Sequence, residues 1–575
     1  MKTFLELKRN LKKNADQFKQ MRIAVLGNSA TQFLTQALVG ACYEEQIKLS
    51  VWEADYDQIQ QTVLDVDSNL YRNKPDVVLI YWCSEKLSYR FNKCSEPARN
   101  QFADDFISEI SELVSCLEGQ GITKVMLFNL IEFDDAVFGN YANKLVGSWS
   151  FQLRKMNYMM MELAAQRPSL HICDIQSIQN RMGRASFFQA SLYVNSDLTI
   201  SLEALPAVAY QAAQLLRSMI GRSRKCLILD LDNTTWGGII GDDGWEHIQI
   251  GSLGIGKAFT ELQWWAKKLQ QRGIILTVCS KNFEHIAKVP FEKHPDMVLR
   301  LSDIAVFIAN WDNKADNIRQ IQEILNIGFD SMVFLDDNPM ERDLVRSQLP
   351  DVAVPELPVD PANYVQYLTS LNLFDTISYS SADQERTKQY QVENERLASK
   401  RSFTNEKEYL ESLQMSSNIA SLNSFNIPRV AQLSQRSNQF NLRTQRYTEA
   451  DLEQMATKTE HEVLCFDLID KFGDNGLICV VVLKAIGPHE AFIENWFMSC
   501  RVLKRGMEDF VTNSIVEKCR QRGWASVRGE FISTAKNEMV KDHYGKMGFT
   551  QLEDQWVLAT EQWQDREVEI TANWI

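Results

Sequence analysis

Four short runs in the middle of the chain end apolar stretches in groups able to do chemistry together. The first is LILDLDNTT (227–235), where aliphatic residues lead into Asp230 and Asp232 and then Thr234. VCSKN (278–282) ends in Ser280 and Lys281, NWDNKADNI (310–318) offers Lys314, and VFLDDNP (333–339) ends in Asp336 and Asp337. Taken singly, each has a plain structural reading: an acid after an apolar strand caps a turn or helix, a serine fills a turn, and a lysine is solvated. Two acids at alternate positions on one strand share a side of it, and their repulsion calls for a cation. Mg2+, a hard ion that prefers oxygen ligands, suits such a pair.

The segments that carry these groups follow a strand–helix alternation. Apolar runs at 226–232, 273–280, 305–310 and 331–338 read as buried strands, with helices expected at 257–272, after Lys281 and at 313–326. That rhythm predicts a parallel sheet with helices on its faces, whose ligands bind outside the C-terminal strand ends. All four runs end there. The same rhythm opens the chain, with strands expected at 21–27, 47–54, 76–82, 122–130 and 170–175, and a basic linker near 220. Beyond a proline-rich stretch (349–364), a helical, charge-rich connector is expected at 371–435. Strands at 461–470, 476–484 and 491–499 and a helix at 505–521 then predict a small α+β domain. The expected organisation is 1–220, 221–370, the connector 371–435, and 436–575.

Length agrees with several domains, since 575 residues exceed what one core accommodates. A net charge of −14, from 61 basic and 75 acidic residues, argues against nucleic acid as a partner, because phosphate-backbone binding needs a basic footprint. Without an apolar run long enough to span a bilayer, or an apolar leader, the expectation is a cytoplasmic protein with no membrane role. The 11 cysteines are scattered with no Cys-x-x-Cys pair, as expected of reduced thiols rather than a disulfide or zinc framework. Only Cys279 and Cys500 fall inside polar motifs.

In order, Asp-x-Asp-x-Thr, Ser, Lys and Asp-Asp resemble the four motifs of the haloacid dehalogenase superfamily of phosphotransferases. The wider text LDLDNTTWGG, CSKN, FEKHPDMVLR and NWDNKADNIRQI is similar to its FkbH-like subgroup (subfamily IIIC). The resemblance implies a Rossmann-like parallel sheet, with Asp230 as nucleophile and Asp232 as general acid and base. Thr234 and Ser280, with Lys281 beside them, would bind the phosphoryl oxygens, and Lys314 would neutralise their charge. Mg2+ would be held by Asp230, the Asp232 backbone carbonyl, Asp336 and Asp337. Thr235 stands where the subgroup usually has Leu. The short spacing after Thr234 leaves little room for an inserted cap domain, so an open site is expected.

Two flanking resemblances are weaker. VLGNSATQ (25–32) resembles the first block of the SGNH hydrolases, a flavodoxin-like fold, with Ser29 in the nucleophile position. Such an esterase needs a His after a late Asp, whereas His171 precedes Asp174, so a non-catalytic domain is expected. FMSCRVLKRGMEDF (497–510) and GEFISTAKNEMVKDHYGKMGF (529–549) resemble the GNAT acyltransferase fold. There the helix N-terminus would grip a pantetheine phosphate through Arg501, Lys504, Arg505 and Gly506. Lys504 replaces a glycine of that family's loop. GSLGIGKA (251–258) nearly spells a P-loop but has Ala258 where Ser or Thr must hold Mg2+, and reads as a turn into a helix.

By resemblance, the expected activity is removal of phosphate from an acyl phosphate such as 1,3-bisphosphoglycerate and loading of the glyceryl group onto an acyl carrier protein. Cys279 or Cys500 would carry a thioester intermediate, with Cys279 favoured because neighbouring Lys281, Lys314 and Mg2+ would depress its pKa. Two other readings stay open: a stand-alone Mg2+-dependent phosphatase of a small phosphomonoester such as a sugar phosphate, and a catalytically silent carrier-binding scaffold.

Overall fold

The computed structural model describes residues 2–379, 403, 405–499, 502–503, 505–534 and 537–575. Contacts divide the chain into two compact units, 1–218 with 448–451, and 219–447 with 452–575.

The first unit holds five parallel strands, β1 (Lys19–Gly27), β2 (Ile47–Glu53), β3 (Val77–Tyr81), β4 (Val125–Phe128) and β5 (Leu170–Cys173), in the order β2-β1-β3-β4-β5. The central strand β3 and its neighbour β4 are buried along their whole length, as expected of aliphatic strands covered by helices on both faces. The helices Glu96–Gly119 and Trp149–Gln166 bury Phe106, Ile110, Trp149 and Met156 against Ala24, Val78 and Leu127.

The second unit opens with β6 (Cys226–Leu229), β7 (Ile275–Ser280), β8 (Ile304–Ala309) and β9 (Met332–Leu335), all parallel in the order β8-β7-β6-β9. Successive side chains of β6 enter opposite cores. Leu227 and Leu229 join Leu262 and Phe259 of the helix Gly254–Gln271, and Cys226 and Ile228 join Ile318 and Ile321 of the helix Lys314–Leu325. Because β6 lies between β7 and β9, the chain leaves it to one side and later returns on the other. That reversal opens a crevice at its C-terminal end.

The unit closes with an eight-stranded sheet: β10 (Met415–Ser421), β11 (His461–Asp470), β12 (Gly473–Gly487), β13 (Glu490–Met498), β14 (Ser526–Gly529), β15 (Thr550–Leu552), β16 (Gln555–Ala559) and β17 (Ile570–Trp574). Its order is β15-β16-β14-β13-β12-β11-β10-β17. β13 and β14 run parallel but pair only over Glu490–Phe492 and Ser526–Arg528. Further along, β13 pairs instead with the segment 440–442, through Met498 N to Phe440 O and Leu442 N to Trp496 O, both 3.0 Å.

The main departure from the sequence expectation is β10. It lies within the stretch read as a helical connector, so the third sheet starts before residue 436. MSSNIAS looks polar, yet Met415, Ser417 and Ile419 alternate inward. Ser417 avoids the cost of burial by donating to Asp467 O at 2.6 Å. Of the rest of the expected connector, 380–402 and 404 lie outside the described residues, while the helices Glu406–Ser412 and Ile427–Arg436 stand on either side of β10. Among the described residues, no helix is long and apolar enough to cross a membrane.

Candidate active site

β6 ends at Leu229, one residue before Asp230, and the chain then turns through Asn233 in the left-handed region (φ 53°) into a short loop. Asp230 is buried, and its Oδ1 lies 2.9 Å from Lys314 Nζ. The same ammonium lies 2.5 Å from Asp336 Oδ2, just past β9. Lys314 is the first residue of its helix, with Asn313 as a true N-cap whose side chain accepts from Ala315 N. That cap directs a lysine 3% exposed into the crevice.

Asp230, Asp336 and Asp337 each bring a carboxylate oxygen within 4.8 Å of the others. Burial and the charge of Asp230 push Asp336 up to about 7, although Lys314 opposes the shift, and Asp337 is raised for the same two reasons. Burial alone would lower the pKa of Lys314. Its two carboxylate partners hold it above the ordinary value, so the ammonium is charged throughout the accessible range. Three clustered oxygens, two of them on acids that resist ionising side by side, are a donor set suited to a hard divalent cation.

Asp232 stands apart from this cluster. Its Oδ1 accepts from Trp236 Nε1 (2.9 Å) and Ile240 N (3.1 Å), and its Oδ2 from Asn282 Nδ2 (3.0 Å). Burial raises its pKa and these three donors oppose the rise. Asn282 also donates to Ser280 Oγ at 3.2 Å. Sequence reasoning missed Asn282 and Trp236, since neither type announces chemistry; the one available signal was that Asn282 ends the same short motif as Ser280.

The other expected site residues are placed unequally. Thr234 is fully buried and holds Asp337, accepting from its N–H at 3.0 Å and lying 3.2 Å from its Oδ1. Arg342 fixes the same turn by donating to the carbonyls of Asp336 (2.8 Å) and Asp337 (2.7 Å). Lys281 turns aside to Glu341 at 2.6 Å. Cys279 corrects the expectation of an activated thiolate. It packs with Ile275, Ala315 and Ile318 in the core, facing away from Ser280, and burial pushes its thiol up to about 12 despite Lys314. Around the crevice, the exposed Phe283 and Trp311 meet edge to face at 5.9 Å. Only a four-residue helix, Ile240–Asp243, stands between Thr234 and the next long helix, so the mouth has no inserted domain.

The first sheet offers a second crevice beside Ser29. Ser29 is 2% exposed, and its Oγ has no partner. Asp174 is not at that crevice: it caps the helix Ile175–Met182, at the end of the edge strand β5, three strand spacings or about 14 Å from β1. Acids that do lie there are Asp57, whose N–H donates to Gly27 O at 3.2 Å, and Asp197, whose carbonyl accepts from Ala30 N at 3.2 Å and whose carboxylate meets Tyr56 and Lys86. His171, the one histidine of residues 1–218, lies near Lys124 at the opposite end of the parallel strands.

In the third sheet, Arg505 corrects the expected pantetheine grip: it is 5% exposed and paired with Asp470 at 3.3 Å. Gly506 precedes the helix Met507–Arg522 with φ 77°. Cys500, Arg501 and Lys504 lie outside the described residues.

Residues 22–217 match the family model described as FkbH, N-terminal domain. The crystal structure of the N-terminal part of protein BF1531 from Bacteroides fragilis, containing a phosphatase domain complexed with Mg, is 47% identical. The match covers 66% of this chain and 100% of that one, with a TM-score of 0.63. Two acetyltransferases match more distantly. The ribosomal-protein-S18-alanine N-acetyltransferase of Escherichia coli is 16% identical over 24% of this chain and 90% of that one, with a TM-score of 0.20. The spermidine N-acetyltransferase of Vibrio cholerae, in complex with CoA and spermine, is 12% identical over 26% and 95%, with a TM-score of 0.21. No curated protein matches the chain.

Proposed function

The chain belongs to the FkbH family and carries a phosphatase domain of that type, and from that premise we propose that it removes phosphate from a glyceryl phosphate carrying an acyl-phosphate group and delivers the glyceryl group to an acyl carrier protein. The observation that carries the reading is the linked set Asp230, Lys314 and Asp336, at 2.9 and 2.5 Å, at the open end of a parallel sheet.

Asp230 attacks phosphorus while Lys314 offsets the charge growing on the phosphoryl oxygens. The bond from phosphorus to the leaving oxygen breaks, that oxygen takes the proton held on Asp232, and an aspartyl-phosphate remains on Asp230. Asp232, now ionised, takes a proton from water, which attacks phosphorus, releases phosphate and restores Asp230. The raised pKa of Asp232 suits it to hold the first proton, and Asn282, Trp236 and Ile240 N keep it aimed. Asp230, Asp336, Asp337 and the Asp232 carbonyl would hold Mg2+, which when bound draws charge from the phosphoryl group.

Acyl loading follows a different course. The carrier's phosphopantetheine thiol attacks the acyl carbon, the bond to the phosphate oxygen breaks, and phosphate leaves with the thiol proton, while the aspartyl-phosphate course above acts on the other phosphate, the ester on the glyceryl chain. The burial of Cys279 in the core supports direct attack over a thioester on that thiol; Cys500, the other candidate carrier, lies outside the described residues. The uncapped mouth with Phe283 and Trp311 at its rim favours a bulky acyl donor or a docked protein over a small enclosed ester.

The test is to incubate the full chain with 1,3-bisphosphoglycerate, Mg2+ and candidate carrier proteins, following phosphate release and the carrier's intact mass. A glyceryl increment on phosphopantetheine supports the reading. Phosphate release at the same rate without carrier, and with generic phosphomonoesters, favours a stand-alone phosphatase instead.

A further inference from the structure

Four large apolar side chains stand exposed around the mouth of the crevice at β6, one on each segment that leaves the C-terminal end of β6, β7, β8 and β9. Ile239, Phe283, Trp311 and Met340 are 46, 56, 64 and 77% exposed. Each sits close in sequence to a group of the site. Ile239 precedes Ile240, whose N–H donates to Asp232, and Phe283 follows Asn282, whose amide donates to the same carboxylate. Trp311 follows Asn310, whose N–H donates to Ser280 O at 3.1 Å, and Met340 lies one turn beyond Asp337. Single exposed apolar residues are ordinary, but four around one open site form a collar that is shielded from water only when something lies on it.

Charge narrows the occupant. Asp242, Asp243 and Asp312 are exposed beside these residues, whereas Lys281 is taken by Glu341 and Lys288 by Glu284. The collar is therefore apolar with an acidic surround. That surround repels a phosphorylated acyl donor, whose charge belongs inside with Lys314, and it repels a second copy of the same surface. Of the participants in the proposed transfer, the stretch of the pantetheine arm between its phosphate and its thiol is uncharged and bears methyl and methylene groups. It must also cross this mouth to bring the thiol to the acyl carbon.

We propose that Ile239, Phe283, Trp311 and Met340 receive the uncharged part of a pantetheine arm, which lies across the Phe283 and Trp311 rings; this deepens the glyceryl transfer proposed above and rests on it. The test gives the full chain Mg2+, 1,3-bisphosphoglycerate and one of three acceptors: a carrier protein, free pantetheine, or N-acetylcysteamine, which keeps the thiol and one amide but lacks the methyl-bearing end. Transfer is read by mass as the glyceryl thioester. In wild type, kcat/KM is higher for pantetheine than for N-acetylcysteamine. Trp311→Ala and Phe283→Ala each lower that preference by about tenfold, as expected when a ring no longer covers about two methylene groups, and Trp311→Phe keeps most of it. A preference unchanged in both alanine variants, or an equal loss with both free thiols, overturns the proposal. If the preference is unchanged while KM for the carrier rises, the collar receives the carrier's own surface instead. Loading of the carrier with no transfer to free pantetheine, or with no preference for it in wild type, overturns this inference alone. No thioester on any of the three acceptors overturns the transfer itself, and this inference with it.

Discussion

The crevices at the ends of β1 and β6 occupy equivalent places in two parallel sheets, yet only one is equipped. In both sheets the strand order reverses at the strand that bears the key residue. Past β6, neighbouring strands and a helix N-terminus bring two carboxylates and an ammonium to Asp230, and an amide to Asp232. Past β1, Ser29 is buried without a partner, and Lys86 and Tyr56 are taken up by Asp197. No histidine stands at that end among the described residues of the first unit. A strand-end crevice is therefore a place for chemistry rather than its cause, and the convergence of charge decides.

The largest expected contrast is between nucleophile positions. Asp230→Asn should lower phosphate release by about a thousandfold or more, as loss of a covalent nucleophile does, while Ser29→Ala changes it less than about twofold. Comparable losses in the two variants would break the comparison.

Next comes the buried cation. Lys314→Met should lower turnover by about a hundredfold, and without divalent metal it should destabilise the second unit by about 3–5 kcal/mol in urea titrations, because two buried acids lose their partner. Lys86→Met removes a part-exposed ion pair in the first unit and should cost no more than about 1 kcal/mol.

A positioning effect is smaller. Asn282→Ala should cost about tenfold to a hundredfold in kcat and move the pH–rate profile, since Asp232 loses the donor that opposes its raised pKa. An unchanged profile would assign Asn282 to structure alone.

The two units should also respond to pH in opposite directions. Asp336 is raised from 3.8 to about 7, so between those values the folded state holds more protons than the unfolded state. Its contribution in metal-free protein therefore falls as pH rises through that window, a slope that Asp336→Asn or added Mg2+ should remove. Burial lowers His171 from 6.5 to about 4, so there the unfolded state holds more protons and stability is lost as pH falls through that range. His171→Phe should flatten that second slope, and equal slopes with and without the substitution would discard the linkage.

Much of the central site was legible because its strands are short aliphatic runs whose ends are marked by acids. Their order across the sheet, Lys314, Ser280, Asp230 and Asp336, is not the order in sequence, because β6 lies between β7 and β9. What escaped depended on direction. Cys279 and Ser280 are adjacent, but they face opposite sides of β7, which turned an expected thiolate into a core thiol. Asn282 and Trp236 carry no charge to announce them. Asp197 was hidden for another reason: only folding brings the segment after the helix Ala190–Ser196 back to the end of β1. β10 escaped because its inward residues include a serine satisfied by the neighbouring strand.

The central claim is that Asp230 takes the phosphoryl group. Acid-quenched protein, mixed briefly with Mg2+ and the phosphorylated substrate, should carry one phosphoryl increment on the peptide containing Asp230, and none in Asp230→Asn. Turnover with no increment on that peptide, or an increment that persists in Asp230→Asn, would contradict the account.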